Sequence, residues 1–128
     1  MESLRHAAVL DIGKTNVKLV LVDMITFREI KALSMPNVVL EDGPYRHFDT
    51  EAIWRFLLAS LKEYQRFYDV EAISLTAHGS CAALVDTHGN LALPVLDYED
   101  KRPDELHFTM IEFAPIWPFR DRPGSKAG

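Results

Sequence analysis

The 128-residue chain has a single cysteine, Cys81, which excludes an intramolecular disulfide and any cysteine-based zinc cluster. It has no basic run beyond Lys101-Arg102 and a formal net charge of -5, so a sequence-independent grip on nucleic acid or on an anionic membrane surface is not expected. No apolar stretch approaches the ~18 residues of a membrane-spanning helix. The N-terminus also lacks the apolar core and cleavage site of a signal peptide. These absences point to small-molecule partners and a reducing, cytoplasmic setting. Internal repeats are missing too, and the length and 48% hydrophobic content suit one small domain with a modest core.

What is present is organised around Ala7 to Asp23, AAVLDIGKTNVKLVLVD. An apolar run reaches Asp11 and Gly13, turns through Lys14, Thr15 and Asn16, and resumes at Val17. β-Branched and large apolar residues in both arms predict a strand, a tight turn and a returning strand, with Gly13 and Asn16 expected to supply positive φ. A carboxylate at a strand end, a glycine, two lysines (Lys14 and Lys18) and two small hydrogen-bonding side chains suit a phosphate with its metal ion. The same composition also suits a plain polar turn.

Further along, Phe27 to Ser34 reads as a third strand paired with the second, joined by Met24-Ile25-Thr26. Pro36 to Pro44 reads as a loop. Asp49 is a natural N-cap, and Ile53, Trp54, Leu57, Leu58, Leu61, Tyr64 and Tyr68 recur near helical spacing, which predicts a helix ending at Phe67 to Asp69. Val70 to Leu75 reads as a strand broken at Thr76 to Ser80. Cys81 to Asp86 reads as another strand, closed by Thr87-His88-Gly89-Asn90 into a hairpin with Leu91 to Leu93. His88 is expected to be merely solvated. From Leu106 onward, apolar residues fit neither strand nor helix period and prolines interrupt them, so 107–128 is read as an irregular tail after a domain spanning 1–106.

This order of elements resembles the opening of the ribonuclease-H-like fold of sugar kinases, hexokinases and actin. The residues narrow it. Asp11-Ile-Gly-Lys-Thr-Asn-Val-Lys18 resembles the first phosphate motif of the FGGY carbohydrate kinases, D-x-G-x-[ST]-x-x-[KR]. Ile73 to Gly79 resembles that family's strand ending in His-Gly, and Leu84 to Leu96 its following hairpin. The resemblance covers residues 7–106 and implies an incomplete α/β domain with a mixed sheet, antiparallel through its first three strands. It implies ATP and Mg²⁺ as cofactors, with Asp11 at the metal and Gly13, Lys14, Thr15, Asn16 and Lys18 around the phosphoryl group. It also implies a sugar pocket containing His78, Gly79, Asp97, Glu99 and Asp100. Asp97-Tyr98 stands where the family often has a tryptophan.

The kinases of this family are several times longer. Their catalytic aspartate, which takes the proton from the attacking hydroxyl, has no counterpart motif here. The chain is therefore expected to be an inactive N-terminal fragment of a kinase for a ketose or polyol, self-associating through exposed apolar surface. Residues 107–119, back-translated and read one frame away, permit a string resembling the family's continuation, which suggests a frameshifted or truncated reading frame. The competing readings are a stand-alone sugar- or phosphate-binding module, and a hexokinase-like or repressor-type relative. The latter would share the Asp11 turn without predicting His78-Gly79 and its hairpin.

Overall fold

The computed structural model describes residues 5–101. The chain divides into two compact units, Met1–Tyr98 and Glu99–Gly128. The expected irregular tail lies outside the described residues. In the first unit a four-stranded sheet is built from β1 (His6–Ile12), β2 (Asn16–Asp23), β3 (Arg28–Pro36) and β6 (Val70–Ala77), in the order β3-β2-β1-β6. β1 pairs antiparallel with β2, β2 antiparallel with β3, and β1 parallel with β6. A parallel pair needs a crossover connection, and α1 (Thr50–Gln65) lies within it.

Strand alternation decides the core. Ala8 and Leu10 of β1 and Val17, Leu19 and Leu21 of β2 point to one face and are buried there against Leu57 and Tyr64 of α1. Full burial of each leucine stabilises by roughly 1.5–3 kcal/mol. The helix begins as its sequence suggests: the Asp49 carboxylate accepts from the Ala52 amide at 2.9 Å, and Glu51 lies in the first turn. Its buried stripe, however, is Leu57, Ser60 and Tyr64, with Ile53, Phe56 and Leu61 beside it. Trp54 and Leu58, expected on that stripe, stand 56% and 49% exposed, because they lie on the flank beside the Leu57-Ser60-Tyr64 stripe that meets the sheet. Tyr64 is buried with its hydroxyl donating to the Leu19 carbonyl at 2.6 Å and 3.3 Å from that of Lys31, which fastens helix to sheet.

Other boundaries differ from expectation. The third strand starts at Arg28, since the Asp23 carboxylate accepts from the amides of Ile25 and Thr26 and the turn closes through Phe27 at φ 55°. β6 runs two residues further than Leu75 because its ladder with β1 continues through Thr76 and Ala77. The loop from Pro36 to Pro44 contains β4 (Val39–Leu40), which pairs with β5 (His47–Phe48). Cys81 to Asp86 is not a strand. Only an isolated bridge joins Val85 to Leu91, with Leu84, Leu91 and Leu93 at least 43% exposed. A two-stranded ribbon with no face to bury is marginal. Its tip is ordered by Asp86, whose carboxylate accepts from the amides of His88 and Asn90, and by Gly89 at φ +84°.

Candidate functional site

The antiparallel register sets Asp11 directly opposite Lys18, and the parallel register sets Thr76 beside Asp11. Asp11 and Lys18 are exposed on the sheet face away from α1, and neither forms an ion pair among the described residues. Beyond Asp11, the turn is shut by the Gly13 amide donating to Asn16 O at 2.8 Å. Neither Gly13 nor Asn16 has the positive φ expected of it. Glycine is required at 13 for a different reason: a Cβ there would lie 2.9 Å from Asn16 O.

Asn37 was not foreseen as part of this turn. Its amide donates to Thr15 O and its side-chain Nδ2 to Gly13 O, both at 2.8 Å, so the residue after β3 clamps the turn from outside. Its Oδ1 is buried with no hydrogen-bond partner among the described residues. The sequence signal is faint, an asparagine following a proline. Its meaning depends on the pairing of Asn16 with Pro36.

Lys14 turns away from this group. Its ammonium forms an ion pair with the carboxylate of Asp97, which is 1% exposed, and lies 4.9 Å from the ring centroids of both Phe48 and Tyr98. His78 packs on the same two rings, at 5.4 Å from Phe48 and 5.8 Å from Tyr98. The His78 amide continues the ladder to Ile12 O at 2.8 Å, and its Nδ1 lies 3.1 Å from Gly79 O. Nδ1 therefore carries the proton in the neutral ring, which leaves Nε2 to accept from a ligand hydroxyl. Gly79 faces open space. Cys81 sits nearby. Burial pushes its thiol up, while Lys14 lowers and Asp97 raises it.

Two expected groups thus come together differently than expected. Asp11 and Lys18 share one face with the turn, whereas Lys14, His78, Asp97, Phe48 and Tyr98 form a second cluster. Phe48 was missed by the sequence reading. Glu99 and Asp100 fall in the second unit. A cavity of about 280 Å³ lies at the α1 N-terminus, between Phe48 and Pro94, and holds none of the expected site residues.

Mg²⁺ keeps much of its water and is commonly held by one or two carboxylates plus substrate phosphates. No cluster of three or more metal-ligating side chains occurs among the described residues. A single carboxylate such as Asp11 fits a metal arriving with a nucleotide.

The fold is shared with solved carbohydrate kinases. A carbohydrate kinase from Novosphingobium aromaticivorans is 34% identical over 83% of this chain, with a TM-score of 0.70. A xylulose kinase from Rhodospirillum rubrum is 25% identical over 84%, with a TM-score of 0.61. Glycerol kinase from Plasmodium falciparum, solved with ADP, is 14% identical over 91%, with a TM-score of 0.62. The chain spans only 22% to 24% of these three structures. No protein-family model matches it, and neither does any curated protein sequence. In fold and sequence the chain matches the N-terminal part of solved carbohydrate kinases of the FGGY family. No helix among the described residues is long and apolar enough to cross a membrane.

Proposed function

We propose that the chain is the opening segment of a cytoplasmic, ATP-dependent sugar kinase acting on a ketose or polyol, and that it does not turn over alone. The observation that carries this reading is the pairing of exposed Asp11 with exposed Lys18 beside a clamped glycine turn, within a segment 34% identical to a carbohydrate kinase. Phosphoryl transfer spreads negative charge over phosphoryl oxygens, so positioning and cationic or hydrogen-bonding groups supply most of the catalysis. Bound with the nucleotide, Mg²⁺ would neutralise part of that charge. Asp11 would hold the metal's shell. Gly13, Thr15 and Asn16 of the turn, with Lys18, would bind phosphoryl oxygens, and His78 Nε2 would accept from a sugar hydroxyl. The base that removes the acceptor's proton is, by the resemblance, an aspartate further along such kinases. Apolar side chains left open on β6 favour association with a second copy.

Two measurements test the reading. MgATP added to the isotope-labelled chain should shift the amides of residues 13–18, and ATP consumption with a panel of ketoses and polyols should stay at the blank. Unmoved amides would remove the phosphate site. Sugar-dependent turnover would overturn the inactivity.

A further inference from the structure

We infer that Lys14 serves the acceptor side of the site, as the latch that holds the Val95 to Tyr98 segment against the phosphate turn, and is not a phosphate ligand. The inference deepens the kinase reading, in which that segment borders the sugar.

Three observations converge on Lys14. Its ammonium pairs with a carboxylate that is 1% exposed, 83 residues away in sequence. The same ammonium lies over two aromatic rings, 4.9 Å from each centroid, which adds cation–π attraction from both. Those rings also receive His78, so the lysine, the histidine and the segment share one set of contacts. Among the described residues the segment's backbone is also held by Phe48 N to Val95 O at 3.0 Å, Asp97 N to Arg46 O at 2.9 Å, a bridge between His47 and Leu96, and Cys81 Sγ to Leu96 O at 3.8 Å. Taking a cation from a buried carboxylate is strongly unfavourable, so removal of the charge at 14 should loosen the segment. Meanwhile the turn itself is closed by Gly13, Asn16 and Asn37, none of which depends on the Lys14 side chain.

The test is hydrogen exchange on the 128-residue chain, with Lys14→Met, Asp97→Asn, the double variant and Lys14→Arg. The amides of Phe48 and Asp97 report on the segment, and those of β1 and β2 on the core. Lys14→Met and Asp97→Asn should each speed exchange at Phe48 and Asp97 by about tenfold or more while the β1 and β2 amides keep their protection. The double variant should add little to either single change, as expected of one shared interaction. Lys14→Arg should restore protection to within about threefold. MgATP should still shift the turn amides of Lys14→Met. Unchanged exchange in Lys14→Met overturns the latch, as does MgATP binding weakened beyond about tenfold in that variant, which would return Lys14 to the phosphate. If Lys14→Met loses its core protection, Asp97→Asn and Lys14→Arg decide: a protected segment in the first, or an unprotected one in the second, overturns the latch. Wild-type amides indifferent to MgATP would instead count against the kinase reading, with the exchange comparison still deciding the latch.

Discussion

Asp11 and Lys18 stand directly across from each other on β1 and β2, on the face of the sheet that α1 does not cover. In an intact enzyme made by joining residues 1–106 to the remainder of a related kinase, Asp11→Asn keeps size but removes the charge that the proposed function assigns to the nucleotide's metal. It should lower kcat far more than it raises the sugar KM. His78→Ala should do the reverse, raising the sugar KM by about ten- to a hundredfold for a lost hydrogen bond of about 1–3 kcal/mol. Steady-state kinetics with the sugar varied separates the two. A normal kcat in Asp11→Asn would reduce Asp11 to a turn residue.

Gly13→Ala should destabilise the chain by about 1–3 kcal/mol, because the new methyl must displace backbone rather than a flexible side chain. The cause is contact with Asn16 O and not φ, so a D-alanine gains nothing through φ. Urea midpoints at unchanged slope would measure the cost. A loss below about 0.5 kcal/mol would show that the turn relaxes freely.

Burial pushes the Tyr64 phenol above its ordinary value of 10.0. Above that pH the unfolded chain loses the proton first, so the native state binds more protons and stability falls as pH rises. Tyr64→Phe should therefore cost about 1 kcal/mol near neutrality and show a shallower decline as pH rises above the phenol's ordinary value. Denaturation at a series of alkaline pH values checks both slopes. Parallel slopes would contradict the buried phenol.

Ile73 and Leu75 on β6 are 56% and 69% exposed although their β1 partners Ala8 and Leu10 are buried. The chain should self-associate as concentration rises, and Ile73→Thr with Leu75→Lys should suppress this, since a charged edge resists pairing. Sedimentation velocity over a concentration series measures it. A wild-type monomer throughout would be contrary.

The hairpin and the helix were legible in the sequence because alternation and a cap are local signals. The placement of Asp11, Lys18 and His78 at or near strand ends was legible as well. Lys14 was assigned by its neighbours in the turn, whereas its side chain obeys Asp97, and no spacing rule links positions 14 and 97. Asn37 depends on strand register. The arms around Gly89 were over-read, because apolar alternation predicts a strand only where something lies beneath it.

The two clamps on the turn differ in the loops they close, 24 residues for Asn37 to Gly13 and 83 for Lys14 to Asp97. By loop-closure entropy the longer costs about 1 kcal/mol more. A chain emerging from the ribosome can therefore close its Gly13 to Asn16 turn as soon as Asn37 is free. The aromatic cluster around His78 must wait for Tyr98, so on the proposed reading the half-site for the nucleotide would be born before the half-site for the sugar.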